Sequence, residues 1–167
     1  KLNNNQKKLI KPIAIKLSPD INNEKISMII ELVNKNNIQG IIVSNTTDSN
    51  RENLSDTKRN EVGGLSGQPL KKISTKLIKK FYKETKGKVK IIGVGGIDSG
   101  QSAFEKIAAG ADAVQLYTGM VYKGPGIVKE IKKELISILK KENLKNISEA
   151  VGINAWPRYQ QELYSTR

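Results

Sequence analysis

Short apolar runs alternate with longer stretches of helical periodicity along this chain. The first run, residues 12–17 (PIAIKL), predicts a strand closed by Ser18-Pro19-Asp20. Ile26, Ile29, Ile30 and Val33 then recur at helical spacing, which predicts a helix over about 23–36. Residues 40–43 (GIIV) predict a second strand, ending in Ser44-Asn45-Thr46-Thr47. A polar stretch without clear periodicity follows as far as Gly67, and so long a connection inside a compact unit is usually functional or mobile. Helical spacing returns over about 71–85, with Pro69 near its start. Residues 91–97 (IIGVGGI) read as a buried parallel strand running into glycines, before a helical pattern from Gln101 through Phe104, Ile107 and Ala108. The run 113–118 (AVQLYT) predicts a fourth strand ending in hydroxyls and Gly119, and a last helix is predicted over about 126–141.

Strand-then-helix alternation of this kind implies an α/β fold with parallel strands and right-handed crossovers. A closed (β/α)8 TIM barrel needs about eight such units. The four units here therefore read as half a barrel, with sheet edges that another segment would cover; a small open sheet is the alternative. The third and fourth strand ends together suggest a phosphate cradle of the barrel type. Glycines let main-chain N–H groups approach an anion, and the helix after Asp98-Ser99-Gly100 is expected to add a favourable field. Simple tight turns would use the same glycines.

Composition narrows the chemistry. A chain of 167 residues with 37% hydrophobic content supports one domain with a core. It contains no cysteine and no histidine, so disulfides, thiolate or imidazole metal sites and imidazole acid/base catalysis are excluded for this segment, and no metal is expected. No apolar run approaches the roughly 20 residues that span a bilayer. The opening Lys1-Leu2-Asn3-Asn4-Asn5 reads as the middle of a longer sequence. The net charge of +13 invites a nucleic-acid partner. However, Lys71, Lys72, Lys76, Lys79 and Lys80, and later Lys129, Lys132, Lys133, Lys140 and Lys141, alternate with apolar residues as a solvated helix face does. No nucleic-acid motif accompanies them, so no nucleic-acid partner is expected.

Five ordered motifs carry a family resemblance. They are Ile15-Lys16-Leu17-Ser18-Pro19-Asp20, Val43-Ser44-Asn45-Thr46-Thr47, Gly63-Gly64-Leu65-Ser66-Gly67-Gln68-Pro69-Leu70, Ile91-Ile92-Gly93-Val94-Gly95-Gly96 and Gln115-Leu116-Tyr117-Thr118. In order and spacing, over residues 11–152, the series resembles the C-terminal half of dihydroorotate dehydrogenase. Its Asn-Thr-Thr and Gln-Leu-Tyr-Thr forms resemble the class 2 branch, which is quinone-linked and membrane-associated. The resemblance implies a flavoprotein oxidoreductase of de novo pyrimidine (UMP) biosynthesis. Such an enzyme oxidises dihydroorotate to orotate with FMN as cofactor and ubiquinone or another quinone as acceptor. It further implies the N-terminal half of the barrel as a structural partner, and peripheral membrane association through that missing region. The location implied is the mitochondrial inner membrane, or the cytoplasmic membrane in a bacterium; the Gln-Leu-Tyr-Thr and Asp-Ser-Gly-Gln details favour the former.

Residue roles follow from the same resemblance. Lys16 would contact FMN, aiming a cation at the charge the ring gains on reduction; a snorkelling lysine at a strand edge would look alike. Ser44 would lie against FMN, where the family often has threonine. Asn45 and Thr46 would bind orotate, since amide and hydroxyl groups match a ring of alternating carbonyl and N–H groups; turn chemistry closing a strand would use the same residues. Ser66 and Gly67 would meet the FMN, and Gly95, Gly96, Tyr117 and Thr118 would surround its phosphate. Tyr117 and Pro125 would lie near the quinone tunnel. The branch's catalytic serine belongs to the other half of the barrel, and Ser18, Ser44 and Ser66 do not replace it. No catalytic residue is therefore expected here, and the segment alone is expected to be inactive. Two alternatives stay open: another FMN- or phosphate-binding barrel enzyme, and a basic non-catalytic half-barrel acting as an interaction module. Residues 153–167, with Trp156-Pro157-Arg158-Tyr159, form a tail that receives no role.

Overall fold

The computed structural model describes residues 11–49, 51–52 and 54–156. Four strands, β1 (Ala14–Leu17), β2 (Gly40–Val43), β3 (Lys90–Val94) and β4 (Ala113–Gln115), form one parallel sheet in sequence order. Helices α1 (Asn23–Lys35), α2 (Leu70–Glu84) and α3 (Gly100–Ala109) make the crossovers, and α4 (Thr118–Lys123) and α5 (Ile127–Lys141) follow β4. This is the βα alternation of part of a (β/α)8 barrel.

Local chemistry sets the helix limits. The Asn22 side chain accepts the Lys25 N–H at 3.0 Å to cap α1, with Glu24 in the first turn and Lys35 in the last, as the helix dipole favours. The apolar stripe of α2, Leu77, Ile78 and Phe81, enters one core with Ile26 and Val33 of α1 and with Leu17, Ile41, Val43 and Ile91 of the sheet. A second layer joins α3 to α5, with Phe104, Ile107 and Ala108 against Leu135, Ile138 and Leu139. The opposite face of the sheet carries no helix among the described residues. There Ala14, Lys16, Lys90, Ala113 and Gln115 are exposed, and Ile42, Ile92 and Val94 are half-buried.

Two strands end earlier than the sequence pattern predicts. β3 stops at Val94 because Gly95 and Gly96 take φ of +109° and +69°, which leave the extended region. β4 stops at Gln115, and the expected strand end at Thr118 is instead the first residue of α4. Gly119 permits this: a Cβ there would lie 2.5 Å from the Ile97 carbonyl oxygen, so only glycine lets α4 start against the turn after β3.

The polar stretch after β2 is folded back on itself. Thr47 and Leu65 exchange backbone hydrogen bonds at 3.1 and 2.7 Å. The buried Thr47 hydroxyl donates to Asp20 Oδ1 at 2.5 Å, which clasps this loop to the one after β1. Arg51 closes the far end by donating to the carbonyls of Arg59, Glu61 and Gly63. At the other end of the chain, packing continues past the boundary drawn at 152. Gly152 and Asn154 N–H groups donate to the Ile107 and Ala108 carbonyls at 3.0 and 2.8 Å, Ala155 is buried, and Lys83 lies over the Trp156 ring. Pro157-Arg158-Tyr159 and the rest of the tail lie outside the described residues.

Candidate functional site

All four strands point the same way, so their C-terminal ends and the loops after them meet at one end of the sheet. They enclose a cleft of about 740 Å³, within the usual range for a cofactor-sized ligand. Lys16, Ser44, Thr46, Ser66, Gly67, Gly95, Gly96, Tyr117 and Thr118 all line it. Two residues to which the resemblance gives ligand roles, Asn45 at orotate and Pro125 near the quinone tunnel, do not. Asn45 is exposed outside the lining, with its N–H spent on the Leu17 carbonyl at 2.8 Å. Pro125 lies in the turn between α4 and α5, where its carbonyl accepts the Val128 N–H at 3.4 Å.

The cleft walls are rich in donors. Lys16 rises from the uncovered face of β1 and makes no ion pair among the described residues. The Ser44 N–H donates to the Val94 carbonyl at 3.3 Å, which joins the ends of β2 and β3, and its hydroxyl donates to the Asn45 carbonyl at 3.0 Å. Across the cleft, the Thr118 hydroxyl donates to Ser66 Oγ at 3.0 Å, linking the long loop to the start of α4. Gly67 sits beneath this pair with φ +78°, and a Cβ there would come within 3.0 Å of Thr118 Cγ2. A side chain at Gly64 would overlap the Thr46 hydroxyl. The fold's own packing therefore calls for glycine at these positions, which leaves bare backbone along the cavity.

Gly95 and Gly96 lie against the first turn of α2. A Cβ on Gly96 would fall 2.7 Å from Lys71 Cα, and the Gly95 carbonyl accepts the Ser74 hydroxyl at 3.4 Å. Their own N–H groups donate no hydrogen bond among the described residues. By contrast, most N–H groups at the N-terminus of α3 already have protein partners. Ser99 and Ser102 form a reciprocal capping box, and the Gly100 N–H donates to the Glu134 carboxylate from α5. The donors of this end without a protein partner among the described residues are thus the Gly95 and Gly96 N–H groups, with the Thr118–Ser66 pair across from them.

The rim holds groups that sequence reasoning passed over. Gln68 donates to Asp98 Oδ2 at 2.5 Å, and Lys123 donates to the Asp98 carbonyl at 2.9 Å, so the long loop after β2 and the end of α4 are both tied to the loop after β3 at the cleft mouth. Behind the cleft Lys106 is wholly buried on α3. Burial pushes its ammonium down to about 8, partly offset by Glu105, while Lys71 adds to the lowering. Its signal in the sequence is a charge inside the apolar run Ala103-Phe104-Glu105-Lys106-Ile107-Ala108-Ala109. Among the described residues there is no metal-ligand cluster and no helix long and apolar enough to cross a membrane.

The family described as Dihydroorotate dehydrogenase matches residues 1–139 of this chain. The chain is 51% identical over 152 residues to "Dihydroorotate dehydrogenase (quinone)" of Trichodesmium erythraeum, covering 86% of itself and 40% of that relative. It is 41% identical over 142 residues to "Dihydroorotate dehydrogenase (quinone), mitochondrial" of Mus musculus, covering 85% of itself and 36% of the relative. Among solved structures, the Eimeria tenella DHODH in complex with ferulenol matches with a TM-score of 0.84 at 39% identity, over 90% of this chain and 40% of that one. The chain thus spans about 40% of the length of the relatives it matches.

Proposed function

Because this chain belongs to the dihydroorotate dehydrogenase family, we propose that the protein it represents oxidises dihydroorotate to orotate in pyrimidine (UMP) biosynthesis. FMN is the redox cofactor in this reading and a quinone, such as ubiquinone, the electron acceptor. The observation that carries it is the convergence of nine residues from four strand ends on one donor-rich cleft whose glycines leave no room for a Cβ.

Bound there, a flavin would supply the hydride acceptor and the route for electrons to the quinone. The chain's own residues hold and orient. The N–H groups of Gly95 and Gly96 would take the phosphate, beside Tyr117 and Thr118. Ser44, Ser66 and Gly67 line the ring's seat, and Lys16 presents a positive charge to it from β1. Thr46 faces the cleft and takes the pyrimidine ring; Asn45, exposed and next to it in the chain, is assigned to the same ring. Tyr117, 80% exposed, is assigned with Pro125 to the approach of the quinone.

Proton removal from the substrate is the step these residues do not perform. Among the described residues lining the cleft, the one carboxylate, Asp98, is engaged by Gln68, and the family's serine base has no match here by resemblance. The base is assigned to the remaining part of the barrel, which would also cover the exposed sheet face. Attachment to the mitochondrial inner membrane, or to a bacterial cytoplasmic membrane, is assigned to the same part.

Purified full-length protein is expected to be yellow with bound flavin and to reduce a quinone only when dihydroorotate is present. Residues 1–167 expressed alone are expected to show no turnover. Colourless full-length protein without that activity would refute the reading, and turnover by residues 1–167 alone would refute the assignment of the base.

A further inference from the structure

Lys106 has no exposed surface, yet no carboxylate pairs with it among the described residues. Its neighbour Glu105 is turned to Lys71 instead, at 3.0 Å. All three ammonium protons go to neutral groups of α2: Ser74 Oγ at 2.6 Å, Thr75 Oγ1 at 3.0 Å and the Lys71 carbonyl at 3.3 Å. A buried cation without a counter-ion is costly, and packing alone does not call for one. Nor do its partners need it, since the Thr75 hydroxyl donates to the Lys71 carbonyl at 2.7 Å and Ser74 also reaches backbone oxygens.

What lies beyond Ser74 gives the cation a use. Ser74 Oγ accepts from Lys106, so its single proton is left for a carbonyl: the Lys71 oxygen at 3.5 Å already accepts from Thr75 and Lys106, which leaves the Gly95 oxygen at 3.4 Å as the open acceptor. A trans peptide holds its C=O and N–H on opposite sides. With the Gly95 carbonyl turned to α2, the Gly96 N–H is directed away from α2, toward the cleft that both glycines line.

We propose that Lys106 is a positioning residue for an anionic group at the Gly95–Gly96 turn. It orients Ser74, Ser74 orients the Gly95 carbonyl, and the Gly96 N–H is presented to the ligand's phosphate near a positive charge that no carboxylate pairs directly among the described residues. The inference rests on the flavin reading of the cleft and deepens it, since it predicts that this end discriminates phosphorylated from unphosphorylated flavin.

The test compares FMN with riboflavin, which lacks the phosphate, by fluorescence titration of full-length protein stripped of flavin. Wild type is expected to prefer FMN. Lys106→Met is expected to lower that preference about tenfold, as loss of a unit charge acting at intermediate dielectric should, with riboflavin affinity unchanged. Ser74→Ala is expected to shift the ratio the same way by a smaller factor, and it keeps the test alive if Lys106→Met does not fold. Equal weakening of both flavins by Lys106→Met would make the residue merely structural and overturn the proposal. So would a ratio that Ser74→Ala leaves unchanged, because the route through Ser74 would then be wrong. Failure of wild type to bind either flavin would sink the reading of the cleft itself, and the inference with it.

Discussion

Leu17, Ile41, Val43 and Ile91 turn toward the helices and are buried, whereas Ala14, Lys16, Lys90, Ala113 and Gln115 of the same strands turn away and stay exposed. Both sets come from one alternation with a period of two. Parallel sheets are almost always covered on both faces, so the uncovered side is where a further layer belongs. The covered face bears the stability of the described fold through close packing. The uncovered face interleaves Lys16, Lys90 and Gln115 with the half-buried Ile42, Ile92 and Val94, and its C-terminal rim offers the hydroxyls and bare backbone proposed to meet a ligand. Residues on the first face should therefore answer to stability measurements, and those on the second to ligand and turnover measurements.

Phe81, fully buried between α2 and the sheet, tests the first half of that contrast. Phe81→Ala is expected to cost about 3–5 kcal/mol in urea unfolding, and a loss below about 1 kcal/mol would mean the covered face is not the core. Lys106 gives the next effect and carries a pH sign. Its folded-state value, pushed down by burial to about 8, lies below the ordinary 10.5, so the unfolded chain holds the proton more tightly. The penalty is complete below pH 8 and is relieved as pH rises toward 10.5. Stability should rise by about 3 kcal/mol across that window, by the linkage of about 1.4 kcal/mol per unit. In Lys106→Met the rise should vanish. Lys90, raised by its hydrogen bond to Asp112, loses its contribution only above 10.5 and does not mask it. A flat profile in wild type would show that the ammonium is not held in a dry site.

Smaller effects probe the rim. Gly67→Ala must adopt φ +78° beside Thr118 and is expected to cost about 1–2 kcal/mol, with flavin affinity falling further than stability explains. Lys16→Ala should change stability by no more than about 0.5 kcal/mol, while dihydroorotate-dependent quinone reduction by the full-length protein falls at least tenfold, about 1.4 kcal/mol of barrier. If Lys16→Ala destabilises like Phe81→Ala, the two faces are not divided in this way.

Much of this was legible in the residues. Periodicity located all four strands and the three crossover helices, because a strand or a long helix repeats its pattern often enough to be read. The cleft residues were legible through the family resemblance of five motifs, and topology explains why they meet: in a parallel sheet every strand ends on the same side. The six residues of α4 were not, being too few to separate a helical period from the end of a strand. Asn45 shares a motif with Thr46, but successive residues at a strand end point in different directions, and only Thr46 reaches the cleft.

Sequence by itself determined the order of the elements, the uncovered face's polar positions and the set of hydroxyls and glycines at the strand ends. These are local or periodic properties, carried by residues a few positions apart. Tertiary structure alone decided which partners those groups hold. Glu134 closes the N-terminus of α3 from α5, Thr118 reaches Ser66, Gln68 reaches Asp98, and Lys106 is driven into a dry site against Ser74. Each such pair joins residues tens of positions apart, where no pattern along the chain says which donor meets which acceptor, or how far water is kept from either.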